Sequence, residues 1–150
     1  MSHKTHIART GPYRWDGVPV LAYKEDGGTH FRSVTRQVLF DDGRHFDTQL
    51  RYFEVAPGGH STLERHDHAH LVMVIRGRGQ ALVGREILTL GTHDIVHVPP
   101  QAWHQFRATS DDPLGFLCLV KRDRDKPCRP TADDLEALRA EKAVAAFIRV

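Results

Sequence analysis

Glu64, His66, His68 and His70 stand at every second position of the stretch LERHDHAHLVMVIRGRG, residues 63 to 79. Imidazoles and carboxylates are the side chains that hold divalent transition metals, and histidine also moves protons near neutral pH. Eleven histidines occur in 150 residues, and six of them fall between His60 and His97, which concentrates that chemistry in one region. The apolar run LVMVI follows the cluster, and Gly77 and Gly79 close it. On alternation alone, two readings compete: a metal centre, and a strand whose polar face meets water with its histidines unliganded.

The elements that must position such a centre are short and β-rich. From residue 18 onward, VPVLAYK, HFRSVTRQVLF, QLRYFEVAP, LVMVIR, QALVG, REILTL, DIVHVPP, HQFRAT and LGFLCLVK are separated by turn residues such as Asp41, Asp42 and Gly43. Period-two alternation at this spacing predicts eight to ten strands in an antiparallel sandwich or barrel. Only TADDLEALRAEKAVAAFIRV at the C-terminus has helical character, with Thr131 as N-cap and acids in its first turn. These patterns divide the chain into an N-terminal arm at 1–17, a barrel at 18–122, and a connector with a helical segment packed on the barrel at 123–150. His3 and His6 belong to the arm and are read as tail residues. KRDRDKPCRP reads as an exposed connector.

Bulk properties narrow the function classes. With 21 basic and 19 acidic residues the net charge is only +2, which predicts no nucleic-acid partner and no anionic membrane surface. Two cysteines, Cys118 and Cys128, and no apolar leader in MSHKTHIART lead us to expect a soluble, cytoplasmic protein.

The stretch from Gly59 to Gly79, followed by GTHDIVHVPPQAWHQF at 91 to 106, resembles the two paired motifs of small single-domain cupins. The resemblance covers most of the barrel and implies an all-β fold, a double-stranded β-helix or jelly-roll barrel, ending here in a short helical segment. It implies a divalent transition metal (Fe, Ni, Cu, Mn or Zn) held by Glu64 and His66 as the first pair, His70 as the third ligand and His104 as the fourth. In that register Gly77 lies seven residues beyond His70, as the family pattern requires. Family members usually carry histidine first and glutamate third, so Glu64 and His70 exchange those positions. Glu64 therefore has two readings: a ligand, or a hydrogen-bond acceptor that supports a ligand histidine in a three-histidine site. His68 sits in the turn between the motif strands and is expected to be exposed, while still able to reach the pocket as an acid or base; Glu64 is the other candidate catalytic group.

Several further side chains are candidates for the site. Phe53, Met73, Trp103, Phe106 and Phe116 offer an apolar wall for a small substrate. Arg51 and Tyr52 lie on opposite faces of one strand, so only one can look inward. His97 is read as structural, and Cys118 as a buried thiol that could instead line the pocket. The resemblance implies a metal-dependent enzyme acting on a small oxygen-bearing organic substrate, of dioxygenase type. Its alternatives are a metal-dependent isomerase or lyase, a non-catalytic small-molecule or metal-binding protein, and a metal that merely clips the barrel together. It also implies a homodimer, for which THFRSVTRQVLF offers the pairing edge.

Overall fold

A computed structural model describes residues 4–24 and 28–150; His3 lies outside the described residues. The expected antiparallel barrel is present. Its strands are β1 (Arg9–Gly11), β2 (Arg14–Trp15), β3 (Leu21–Ala22), β4 (Arg32–Phe40), β5 (Thr48–His60), β6 (His70–Arg76), β7 (Gly79–Val83), β8 (Glu86–Leu90), β9 (Ile95–Val98), β10 (His104–Ala108) and β11 (Leu114–Lys121). Two helices follow, α1 (Ala132–Arg139) and α2 (Lys142–Phe147). The main sheet runs β8-β7-β10-β5-β11-β6-β9, with β4 laid on β5 and β3 on β4, so sequence neighbours are often not sheet neighbours. Every pairing is antiparallel. Among the described residues no helix is long and apolar enough to cross a membrane.

Alternation decides which side chains face inward, because successive residues of a strand point to opposite faces. Val72 and Val74 of β6, Phe106 of β10, Phe116 and Cys118 of β11, and Arg51 and Phe53 of β5 are buried, and all but Arg51 belong to one core cluster. Leu71, Met73, Ile95 and Leu119 take the opposite face and remain exposed. The Arg51/Tyr52 ambiguity resolves at the same time: Arg51 lines the interior cavity. Tyr52 faces away from it, stacked on Tyr13 at 5.6 Å with Trp15 edge-on at 5.4 Å. That contact carries the β1-β2 arm on its own barrel, where the Gln37 side chain donates to the Tyr13 carbonyl.

The helices form where the capping signal predicted. Thr131 accepts from the Asp134 amide while the Asp134 carboxylate accepts from the Thr131 amide, a reciprocal cap that satisfies two donors of the first turn. Leu138, Val144, Phe147 and Ile148 then bury a second apolar cluster with Leu63 and Leu82, outside the cavity. This cluster also takes Trp103, which packs there with the Arg65 guanidinium 4.5 Å from its ring.

Gly77 turns the chain at the end of β6 with φ of +69°, and a β-carbon at this position would collide with the Pro113 carbonyl oxygen. Gly77→Ala therefore carries both a left-handed backbone penalty and a backbone clash, and should lower stability by about 2–4 kcal/mol. A denaturant midpoint equal to that of the wild type would show that the turn is not constrained in this way.

Candidate metal centre

His70 and His104 are the first residues of β6 and β10, so each projects into the cavity from the end of a strand. The chain before β6 is drawn to the same place by backbone pairing. The Glu64 amide donates to the His104 carbonyl at 3.2 Å and the His104 amide to the Glu64 carbonyl at 3.0 Å. The Gln101 amide donates to the His66 carbonyl, which ties the loop before β10 to the same segment. Ligating atoms of His66, His70 and His104 consequently all lie within 4.8 Å of one another.

Hydrogen bonds orient each ring. His66 Nδ1 meets the His68 carbonyl at 2.6 Å and His104 Nδ1 the Ala102 carbonyl at 3.0 Å. A carbonyl oxygen accepts only, so both rings carry their proton on Nδ1 and present a bare Nε2. His70 Nε2 lies 2.8 Å from His66 Nε2, and His70 Nδ1 lies 2.8 Å from Cys118 Sγ. The donor set fits a divalent transition metal: three neutral imidazoles with Nε2 facing inward, two of them anchored through the far nitrogen, the arrangement by which metal-bound histidines are held. Ligation through His70 Nε2 would put its proton on Nδ1, which then donates to Cys118 Sγ.

Burial keeps these rings neutral, as ligation requires. His66 is lowered to about 4, first by loss of hydration and then by the neighbouring His104 and His68. His70 and His104 shift in the same direction, with burial again the leading cause.

The other predicted residues take different places. Glu64 is buried and lines the cavity, and its Oε2 accepts from Lys24 Nζ at 2.7 Å. A carboxylate engaged this way can neutralise Lys24 at the rim, and its second oxygen is the one available to an ion. His68, expected at an exposed turn, is instead buried: its ring stacks on His66 at 3.6 Å and its Nδ1 meets Asp125 Oδ1 at 2.8 Å. The reason is the connector, whose Asp125 also accepts from the Asp67 and His68 amides and pulls the turn down over the cavity. Phe53, Phe106 and Phe116 supply the apolar wall, whereas Met73 points outward and Trp103 packs under the helices. His97 also lies on the exposed face, opposite Leu71. Sequence reasoning overlooked Lys24, Arg36 and Arg124, which line the cavity too. The basic excess of the connector KRDRDKPCRP was a signal for Arg124 alone, and it points nowhere without the fold.

Cys118 belongs to the core cluster and also lines this cavity. Besides His70, its sulfur is approached by Arg51 Nη2 at 3.5 Å. Burial raises its proton affinity, and Arg51 and then Arg124 oppose that rise. Cys128 is exposed.

Comparison with known proteins agrees with this architecture. The sequence profile of the cupin domain family matches residues 51–120. The chain is 60% identical over 136 residues to the 1-methylthio-D-xylulose 5-phosphate methylsulfurylase of Rhodospirillum rubrum, covering 91% of this chain and 86% of that protein. Among solved structures, it resembles a cupin 2 conserved barrel domain protein from Rhodopseudomonas palustris with a TM-score of 0.91 and 51% identity, covering 97% of this chain and 100% of that one. It also resembles a cupin-2 domain protein from R. rubrum, with a TM-score of 0.84 and 57% identity over 95% and 94% of the two chains.

Two outcomes follow from this geometry. His66→Ala, His70→Ala and His104→Ala should each strip the metal from the purified protein by elemental analysis, while His68→Ala retains it; equal loss in all four would refute the donor set. In metal-free protein, His66 binds its proton near 6.5 when unfolded and about 4 when folded. Stability should then fall as pH drops through that window, by up to about 1.4 kcal/mol per pH unit from this ring alone, and a flat profile of unfolding midpoint would exclude a neutral buried ring.

Proposed function

The chain belongs to the cupin family, and from that membership and the contents of its cavity we propose that it is a metal-dependent enzyme that removes the methylthio group from a phosphorylated ketose. The observation that carries this reading is the placement of Cys118: a thiol beside the three-histidine cluster, flanked by His70 and Arg51 and lining the same cavity. The relative from R. rubrum is named for 1-methylthio-D-xylulose 5-phosphate, whose methylthio carbon lies next to a ketone. Breaking that carbon–sulfur bond requires a nucleophile able to attack sulfur and a site able to carry enolate charge. A cysteine thiolate suits the first need.

In this reading Cys118 Sγ attacks the methylthio sulfur. A sulfur–sulfur bond forms, the carbon–sulfur bond breaks, and its electron pair passes into the carbon skeleton as an enolate. His66, His70 and His104 would hold a divalent ion, which would supply Lewis-acid stabilisation of the enolate charge. His70, protonated on Nδ1, donates to the sulfur and favours its thiolate form, and Arg51 adds positive charge on the other side. The proton that leaves the Cys118 thiol passes to Nε2 of His68, whose ring is fixed through Nδ1 by Asp125, and the resulting imidazolium is the group we assign to return that proton to the enolate carbon. The methyl disulfide left on Cys118 is then reduced by an external low-molecular-mass thiol, which takes up the methylthio group and restores the free cysteine. Phe53, Phe106 and Phe116 exclude water around the reacting sulfur.

The dioxygenase-type reaction that the resemblance implied consumes oxygen and gives the thiol no part, so one experiment separates the two. Incubated with 1-methylthio-D-xylulose 5-phosphate without added thiol, the protein should gain one methylthio group on the peptide that carries Cys118. Added thiol should give continuous turnover, and Cys118→Ser should cut the rate by at least about 10³-fold while keeping its metal. Oxygen uptake matching substrate loss, with Cys118→Ser fully active, would overturn the proposal.

A further inference from the structure

Three arginines reach the cavity from separate parts of the chain: Arg36 on β4, Arg51 on β5 and Arg124 in the connector after β11. Arg36 and Arg51 share a face because Arg36 pairs with Phe53 and Val38 with Arg51 across adjacent strands. Like charges gathered in a partly buried space repel, and Arg124 shows it: burial, then Arg51 and Arg36 among its neighbours, lower its proton affinity. Among the described residues no carboxylate forms an ion pair with Arg51 or Arg124; the acceptors of Arg124 are the Lys121 and Arg122 carbonyls.

Arg51 carries the more telling signal. It is only 8% exposed, its guanidinium lies 4.8 Å from the Phe53 ring, and Nη2 is spent on Cys118. Its Nε is buried with no hydrogen-bond partner. An orphaned donor on a buried cation is costly enough to need an explanation, and an ion settling against the guanidinium is one. An anionic acceptor matches the charge of the cavity, where Lys24, Arg36, Arg51 and Arg124 face the Glu64 carboxylate.

We propose that Arg51 and Arg124, with Arg36 at the rim, form an anion subsite that takes the phosphate group of a phosphorylated sugar whose other end lies at Cys118 and the histidine cluster. The inference rests on the reading of the cavity as a ketose-phosphate site and adds the residues that select for the phosphate. Guanidinium is the appropriate group, since its planar donors match phosphate oxygens in pairs. The subsite also explains why the connector crosses the cavity mouth: Asp125 anchors it to the His68 turn, and the adjacent residue Arg124 is thereby carried to the opening.

Binding, rather than turnover, tests the idea. In titration calorimetry of the metal-loaded protein, D-xylulose 5-phosphate should bind at least about 10-fold more tightly than D-xylulose or inorganic phosphate, as expected for charge-assisted contacts. Arg124→Gln should remove most of that advantage, and Arg51→Lys, which keeps the charge but loses Nε and the planar fork, should weaken it. Arg85→Gln, a control whose arginine pairs with Glu141 on the surface, should retain it. Equal affinity for the two sugars, inorganic phosphate binding as tightly as the ester, or an advantage that survives both cavity substitutions would each overturn the subsite. Failure of the reaction itself reads differently: a protein that binds the ester through these arginines yet never acquires a methylthio group on Cys118 keeps the subsite and loses the proposed chemistry.

Discussion

The structure depends on holding three imidazoles neutral, with their ligating nitrogens converging, inside a low-dielectric cavity. Neutral rings can be buried at moderate cost only if their second nitrogens are satisfied, and here backbone carbonyls at residues 68 and 102 satisfy His66 and His104. Those carbonyls belong to loops, and loops stay in place only because strands on either side fix their ends. The paired backbone at Glu64 and His104 is therefore as much a part of the centre as the rings themselves. A jelly-roll arrangement suits this demand, since it brings the starts of β6 and β10, 34 positions apart in sequence, to one end of the barrel.

Much of this was legible in the sequence, for a physical reason. Strand alternation is a local property, so the run from His70 to Arg76 announces its conformation, but it is apolar on both faces, and Val72 and Val74 are the buried residues where Met73 was expected to face inward. The spacing of His66, His70 and His104 could be matched to a family pattern because ligands on strand ends recur at fixed positions. Glu64 was legible only as a member of the cavity; its engagement with Lys24 depends on a residue 40 positions away, in a segment with no strong pattern. His68 was misplaced as an exposed turn residue because its burial comes from Asp125, which is 57 positions away in a connector that looks merely charged and proline-rich. Charged connectors are ambiguous from sequence because the same composition serves solvent exposure and the coating of a polar cavity.

Arg51 makes the same point from the opposite side. By period it had to share a face with Gln49 and Phe53, but a strand in isolation does not say which face is inside. The choice is made by Tyr52, whose ring needs the aromatic contacts that the arm provides. Burying Tyr52 on the outer layer commits Arg51 to the interior. Phe53, on the same face as Arg51, joins the core cluster, so the two sides of the strand favour one register.

Cys118 shows why composition alone undervalues a site. A thiol in an apolar run is ordinarily inert, and burial does raise its proton affinity here. Its neighbours change the consequence. One side carries an imidazole whose proton position is coupled to ligation at the far nitrogen, and the other a guanidinium. The thiol is therefore shielded from bulk solvent, and in the proposed reaction its neighbours would favour the thiolate. Reactivity of this kind belongs to the convergence of β5, β6 and β11 on one point; no one of those strands, read alone, contains it.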